Sequence, residues 1–294
     1  MSPWTYPVAL VAISALVAAL ERRFPWRAQR QLRPGLERDL AYLVFNGHFL
    51  GLVLYGIATH RVLPPIHARL EAMGLGEALF AEAAATWPLW AQIPAVLLGL
   101  DFIQWCVHNA LHRVPLLWSF HQTHHSVVDG EMDWIVAFRF QWTEVVVYRA
   151  VQYLPLAFFG FAPEAIMVHA VFGTLIGHLN HANLRLDYGW GRYVLNNPRM
   201  HVHHHDYDRE GARTVNFGII FSLWDWLFGT AFLPEHAPKR LGFRGVEAMP
   251  KGFLAQVGWP VTGWLGASTA ARVGGAALGV LLLGLGFALA QPPG

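Results

Sequence analysis

Histidines in short, regularly spaced clusters are the feature of this sequence with the clearest chemistry. Eleven of the sixteen histidines lie in or within four clusters between residues 108 and 205; ten of them form the spaced motifs, and the eleventh, His203, lies inside the last cluster. The clusters are His108 and His112 (HxxxH), His121, His124 and His125 (HxxHH), His178 and His181 (HxxH), and His201, His204 and His205 (HxxHH). On a helix, residues three or four positions apart share a face. Because imidazole binds Zn, Fe, Cu and Ni, the spacing predicts shared metal binding.

The same clusters differ from two common kinds of metal site. The zinc-protease motif HExxH needs a glutamate after its first histidine, and here that residue is Asn109. Soluble di-iron bundles use ExxH pairs with bridging glutamates, and none of the four clusters contains a glutamate. The predicted site is therefore built from histidine. A lone histidine more often has a structural role than a metal-binding one. We therefore expect a structural role for the five histidines without cluster partners, namely His48, His60, His67, His169 and His236.

The composition indicates that the elements that position these clusters lie in a membrane. The 294 residues are 54% hydrophobic and only 14% charged, and the mean hydropathy is +0.34. About a quarter of the residues of a soluble domain are charged. The net charge of +2 gives no reason to expect a nucleic-acid partner, and the single cysteine, Cys106, excludes an intramolecular disulfide. We predict an all-α integral membrane protein.

Apolar runs predict about four to six membrane helices. The runs are 4–20, 40–58, 87–107, 145–159 and 165–177, with a further one at 273–290, and about 20 residues cross a bilayer core. Arginines between residues 22 and 38 follow the first run, and the positive-inside rule places them in the cytoplasm. Counting spans from there puts all four clusters on the cytoplasmic side, as a histidine-rich cap. The aromatic segment 217–232 is predicted to lie at the membrane interface.

The domain organisation follows from these spans. We predict a single membrane-embedded domain, in which residues 1–100 are anchor helices and residues 101–230 are the histidine-rich catalytic core. Residues 231–294 are a C-terminal extension with the last membrane helix. Positive charges follow the first apolar run instead of preceding it, which is typical of an anchor helix and not of a secretory signal.

One carboxylate stands out within the third apolar run. Asp101 lies seven residues before His108, on the same predicted helical face. An ionisable residue inside a membrane span is a functional candidate, and carboxylates behind metal ligands orient them. We predict that Asp101 has this role; the alternative is that it pairs with an arginine or with a backbone N–H group.

Taken together, the motifs resemble a known family. The segments DFIQWCVHNALHRVPLLWSFHQTHHS at 101–126, HANLRL at 181–186, NPRMHVHHH at 197–205 and LWDWLFGT at 223–230 are similar to the fatty acid hydroxylase / sterol desaturase superfamily of membrane di-iron enzymes. The resemblance covers residues 101–230. The chain departs from the family's R-x-H-P-x-E pattern, because Gln141 occupies the histidine position, and glutamine does not titrate.

The resemblance implies a set of metal ligands. They are His108, His112, His121, His124, His125, His178, His181, His201, His204 and His205. These can supply two ions with four or five nitrogens each. The implied metal is iron, although zinc can occupy the same ligands. His203 falls between the pattern positions and is either a bystander or a group behind the ligands.

The resemblance also implies a reaction with O2 as co-substrate. A lipid-like substrate, such as a sterol or a fatty acyl chain, would enter from the bilayer. The enzyme would then hydroxylate or desaturate it at a C–H bond. The sequence has no nucleotide-binding glycine motif and no haem-attachment motif. Electrons would therefore come from a separate ferredoxin, cytochrome or reductase. Two alternatives from other classes are a membrane zinc hydrolase and a metal transporter or sensor.

Overall fold

The computed structural model describes residues 2, 4–50, 54, 57–76, 83–127, 131–209 and 213–260. Within these ranges every regular element is a helix, so the predicted all-α class is confirmed. The α-helices are α1 (Thr5–Arg23), α2 (Leu36–Val44), α3 (Leu63–Ala72), α4 (Leu89–Arg113), α5 (Pro115–His125), α6 (Trp142–Phe159), α7 (Pro163–His181), α8 (Pro198–His204), α9 (Leu223–Phe228) and α10 (Phe253–Val257). A 3₁₀ turn, Trp134–Phe138, lies between α5 and α6.

Two helices of the described chain are long and apolar enough to cross a membrane, namely α1 and α4. The helices α6 and α7 match two other predicted spans in position, but they are not among these two. The predicted span 40–58 begins as α2 and continues as a π-helix at Phe45–Phe49. The predicted helix 273–290 lies outside the described residues. The count of four to six spans thus stays a prediction.

A sharp turn between α4 and α5 brings the first two histidine clusters together. Val114 between the helices has an extended conformation, with φ −97° and ψ 114°. The residue before a proline disfavours the helical region, whereas Pro115 suits the first turn of a new helix. The chain therefore folds back directly after the last turn of α4, and α5 packs against it.

A second hairpin joins α6 and α7. The helix α6 ends at Gly160, whose φ of 66° favours glycine, and α7 begins at Pro163. Buried apolar residues hold this hairpin against α4 through Val96, Leu100, Leu156 and Ala165. The C-terminal end of α7 packs against α1 and carries His181 of the third histidine cluster to the site.

Local sequence also defines the short helix α8. The side chain of Asn197 accepts a hydrogen bond from the Met200 backbone N–H at 3.0 Å, which caps the helix. Pro198 then occupies the first helical position. Every residue of α8 is buried, and it packs against α7. This short helix therefore brings the last cluster into contact with the other three.

Candidate metal centre

The structure brings nine of the predicted ligands into two buried, adjoining groups. Group A consists of His108, His112, His121, His125 and His204, and group B consists of His124, His181, His201 and His205. In each group, one ligand atom of every residue lies within 4.8 Å of the others. The groups meet where the His125 and His205 rings stack, with a centroid distance of 4.3 Å. Such an arrangement can hold two neighbouring ions.

Distances within each group match the spacing of ligands around one ion. In group A, the Nε2 atoms of His108 and His121 are 3.2 Å apart. In group B, the Nε2 atoms of His124 and His181 are 3.1 Å apart. Two nitrogens at ~2.1 Å from one ion and at right angles to each other are about 3.0 Å apart. The spacing of these histidines therefore fits that of adjacent ligands around one ion.

The hydrogen bonds on the other ring nitrogens indicate that the contact between His124 and His181 fits a cation between the rings. The Nδ1 of His124 donates to the Arg139 carbonyl at 3.3 Å, and the Nδ1 of His181 donates to the Gly177 carbonyl at 2.7 Å. A carbonyl only accepts, and a neutral imidazole has one proton. Both facing Nε2 atoms of this pair therefore carry lone pairs, which repel each other. A metal ion between them removes the repulsion, so the residues fit a metal.

The histidines of the two groups that lie outside the helices α4 and α7 are in the protonation state that binds metal. Burial lowers the pKa of His121 to about 3. Burial, together with the neighbouring imidazoles, holds the pKa values of five others well below the ordinary value, namely His124, His125, His201, His204 and His205. These side chains are neutral at pH 7, and a ligating imidazole must be neutral.

A backbone segment, residues 215–221, supports group A from behind. The carbonyl of Val215 accepts from His204 Nδ1 at 2.9 Å, and the carbonyl of Phe217 accepts from His108 Nδ1 at 2.7 Å. Within this segment Gly218 has no room for a side chain, because an added Cβ would lie 2.3 Å from the Phe221 carbonyl oxygen. The path of this segment thus fixes the orientation of two ligands.

Asp101 acts on this segment and does not reach a histidine. Its carboxylate accepts from the backbone N–H groups of Ile220 at 2.7 Å and Phe221 at 3.0 Å, and from the Trp224 indole at 2.9 Å. These contacts are those of the backbone alternative. That Asp101 orients a metal ligand stays a prediction, and any such effect would pass through this segment. Asp225 complements it by accepting from the N–H groups of Phe217 and Gly218.

Sequence reasoning missed Glu144, a carboxylate that contacts a histidine of group A directly. Its Oε1 accepts from His121 Nδ1 at 2.8 Å, and both side chains are buried. Glu144 is the last residue of the Arg139-to-Glu144 segment, so the family pattern contained a signal for it. The first residue of that segment, Arg139, is also fully buried. It binds Asp39 with contacts of 2.6 and 2.5 Å.

Three other residues discussed from the sequence lie outside the two groups. The Nε2 of His178 is 3.1 Å from Ser14 Oγ, and its ring stacks on Trp134. His203 donates from Nε2 to the His236 carbonyl at 3.0 Å, as a bystander would. Gln141 caps α6 and donates to the Val257 carbonyl at 3.1 Å. His178 is thus the one predicted ligand that the structure does not place with the others.

Comparisons with known proteins agree with the motifs. Residues 93–230 match the family model described as fatty acid hydroxylase. The chain is 28% identical over 261 residues to an ornithine lipid hydroxylase of Rhizobium tropici, covering 87% of this chain and 75% of the relative. It is 30% identical over 137 residues to human alkylglycerol monooxygenase, covering 46% of this chain and 29% of the relative. It is also 27% identical over 167 residues to a fatty acid hydroxylase of Lecanicillium, covering 50% of this chain and 44% of the relative.

No solved structure matches the chain. The matches show a fatty acid hydroxylase domain at 93–230 with relatives in that superfamily, as the motifs predicted, and an enzyme of the oxygenase class. The matched segment, 93–230, contains both histidine groups and Glu144.

Proposed function

We propose that this protein hydroxylates a C–H bond of a lipid, with O2 as co-substrate and electrons from a separate donor protein. The observation that carries the proposal is the pair of adjoining, buried groups of neutral histidines whose lone pairs face each other. Two relatives by name act on lipids, as an ornithine lipid hydroxylase and an alkylglycerol monooxygenase. Because their names describe hydroxylation or monooxygenation, hydroxylation is favoured over desaturation.

The nine histidines would hold two iron ions, five ligands on one side and four on the other. Bound iron would supply the activation of O2 that attack on an unactivated C–H bond requires. The protein's own contribution is to fix the ligands. Glu144 and the carbonyls of Val215 and Phe217 hold three rings of group A through Nδ1. The carbonyls of Arg139 and Gly177 do the same in group B.

The burial of the site supports a reaction kept away from water. The side chains of both groups are at most 5% exposed, so bulk solvent does not reach the ligands. Excluding water strengthens electrostatic interactions and limits side reactions of a reactive centre. A lipid can approach such a site from the bilayer, which is the route we propose for the substrate.

For the membrane arrangement, we propose a single multi-pass domain with 101–230 as its core and the histidines on the cytoplasmic side. A cysteine at Ala83, which is exposed, should react with an impermeant maleimide only from outside. A cysteine at Arg185, which is exposed beside the third cluster, should react only from the cytoplasm. Both variants carry Cys106→Ser, and labelling of both from the same side contradicts this topology.

The decisive test of the reaction uses isotopically labelled oxygen. Membranes that contain the protein are supplied with lipid, a reductase system and ¹⁸O₂, and the product is analysed by mass spectrometry. We expect the new hydroxyl to contain ¹⁸O and active protein to contain two ions per chain. Turnover without O2, or oxygen that comes from labelled water, would instead support a zinc hydrolase. Consumption of O2 with formation of a double bond would support desaturation.

A further inference from the structure

A cavity of about 510 Å³ lies beside the histidine groups and is lined by cations. Its volume is within the range of small-molecule sites, about 300–1,000 Å³. Five basic side chains line it, namely Arg27, Arg38, Lys239, Arg240 and Lys251. Its lining also contains Ser126, the residue directly after His125. The cavity is thus separate from the two groups but next to one of their ligands.

Arg38 has an unsatisfied donor at this cavity. Its side chain is only 2% exposed, and its Nη2 has no hydrogen-bond partner within the described part of the chain. The one ion pair of Arg38 there is a 3.3 Å contact from Nε to Asp39. A buried guanidinium nitrogen without an acceptor is costly, so the geometry predicts an acceptor from outside the protein.

The network of ion pairs around Arg38 also leaves this arginine without a full counter-charge. The Asp39 carboxylate forms ion pairs with Arg33 at 2.6 Å and with Arg139 at 2.5 Å. Arg33 forms a second ion pair with Asp133 at 2.6 Å. Three guanidinium groups, including that of Arg38, therefore share two carboxylates. The positive charge left over belongs to the member with the longest contact, Arg38, which is also the member that lines the cavity.

The two carboxylates in the cavity lining do not remove this excess. Glu247 pairs with Arg240, and Glu131 pairs with Arg30 at 3.2 Å. Among the described residues, Lys239 and Lys251 take part in no ion pair. The cavity therefore attracts an anion, which both the buried guanidinium and the lysines can contact.

Two acceptors in the same cavity indicate the rest of the ligand. Glu131 Oε2 and Gln256 Oε1 are buried and have no donor within the described ranges, and both residues line the cavity. A ligand that satisfies them must carry a donor close to its anionic group. A lipid head group with a phosphate or carboxylate and a hydroxyl or ammonium group meets both requirements.

The position of the cavity favours a lipid over a free anion. Arg27 lies four residues after α1, one of the two helices able to cross a membrane. Basic residues at the end of such a helix lie at the level of the lipid head groups. A carboxylate on the surface of an acidic protein could reach the lysines but not a guanidinium that is 2% exposed.

We propose that this cavity binds the anionic head group of a lipid, with its oxyanion on Arg38 and the lysines and its donor on Glu131 and Gln256. Because Ser126 adjoins His125, a lipid held there would have its chain near the metal centre. The role of this lipid as the substrate rests on the proposed function, but its binding does not.

The test measures binding to the metal-loaded full-length protein in a neutral detergent by isothermal titration calorimetry. The probe is dihexanoyl-phosphatidylglycerol, which has a phosphate and two hydroxyls, and dihexanoylglycerol is the control without a phosphate. We expect binding of the first and at least tenfold weaker binding of the second. Inorganic phosphate alone should bind at least tenfold more weakly than phosphatidylglycerol.

Variants locate the binding in this cavity. Arg38→Lys keeps the charge but removes Nη2, and Lys239→Gln combined with Lys251→Gln removes two exposed cations. Loss of a charge-assisted hydrogen bond corresponds to about tenfold weaker binding, and we expect that reduction in each variant. The matched control is Arg22→Gln, an exposed arginine at the end of α1 that does not line the cavity, and its affinity should be unchanged. If Arg38→Lys fails to fold, the surface double variant still decides the question.

Several outcomes would overturn the proposal. Equal binding of dihexanoylglycerol would show that the acyl chains alone are recognised, and equal weakening in Arg22→Gln would show only general surface attraction. Equal affinity for inorganic phosphate would assign the site to a free anion. Unchanged lipid affinity with weaker binding of an acidic ferredoxin would assign it to a protein partner. The binding experiment measures no turnover. It can therefore contradict the lipid site without contradicting the proposed reaction, and the labelled-oxygen experiment can do the reverse.

Discussion

The imidazole of His121 donates from Nδ1 to Oε1 of Glu144 at 2.8 Å, and both side chains are buried. Four other Nδ1 partners described for the two groups are backbone carbonyls, such as those of Phe217 and Gly177, and the Nδ1 of His201 faces the Asn196 side-chain amide at 3.5 Å. A carboxylate behind a ligand fixes its tautomer and makes it more basic than a carbonyl does. Among the histidines of group A, His121 is thus expected to bind a metal ion most strongly.

Removing this carboxylate should weaken the metal centre. We expect Glu144→Ala to lower turnover by about 10–100-fold and to reduce bound metal, because the His121 ring loses its support. Glu144→Gln keeps an acceptor without the charge and should be less severe. Bound metal is measured by mass spectrometry of the purified protein. The control is Glu164→Gln, an exposed acid at the start of α7, and full metal content in Glu144→Ala would contradict the assigned role.

Two histidines on the same face of α7 should behave differently. His181 lies in group B, with its Nε2 3.1 Å from the Nε2 of His201, whereas His178 contacts Ser14. We expect His181→Ala to lose about one ion per chain and to abolish turnover, since a buried site without a ligand binds metal poorly.

His178→Ala is the matched variant, one helical turn away on α7. It should retain both ions and lose only some thermal stability, because a buried ring and one hydrogen bond are removed. Loss of an ion from His178→Ala, with no loss from His181→Ala, would reverse the assignment of these two residues.

The sequence was sufficient to predict that the clustered histidines come together, and nine of the ten predicted ligands do so. Imidazoles three or four residues apart share a helical face whatever the tertiary fold. It could not predict how they divide between two groups. His124 and His125 are adjacent in sequence but belong to different groups, since consecutive residues of α5 point in different directions. The ion pair between Arg139 and Asp39 joins residues one hundred positions apart. Local sequence patterns do not predict such distant pairs.

Asp101 illustrates the same limit from the other direction. Its place on the helical face of His108 was predictable, and so was its burial in an apolar helix. Its partners were not, because Ile220 and Phe221 are about 120 residues further along the chain. Which backbone N–H groups reach a buried carboxylate depends on the path of a loop that has no periodic pattern.

The Asp39 carboxylate should make stability depend on acid pH. Burial alone would raise its pKa, but Arg139, Arg38 and Arg33 outweigh burial and hold the pKa at about 2, below its ordinary value of about 3.9. A depressed pKa stabilises the folded state fully above the ordinary value, and the contribution is lost as the pH falls toward 2. Asp39→Asn should therefore cost about 3–5 kcal/mol near neutral pH.

The measurement is thermal unfolding in detergent, followed by tryptophan fluorescence from pH 7 to pH 3. The difference between wild type and Asp39→Asn should be constant above about pH 5 and should narrow below about pH 4. Taking the difference removes effects common to both proteins, such as protonation of histidines. Glu37→Gln, an exposed acid on the same helix, should show no difference from wild type. A gap that widens toward acid pH would show that Asp39 is not a stabilising carboxylate.

Asp101→Asn should disturb group A although the side chain is remote from it. The carboxylate accepts from two backbone N–H groups and the Trp224 indole, and an asparagine oxygen cannot serve all three. Its amide would instead place a donor against a donor, which costs about 1–3 kcal/mol for each buried group left unsatisfied. The displaced segment includes Phe217, whose carbonyl holds His108. We expect lower thermal stability and reduced metal at group A, with Asp208→Asn, an exposed acid, as the control. If Asp101→Asn loses stability but binds metal as tightly as wild type, then Asp101 supports the fold alone and the segment does not transmit its effect to the ligands.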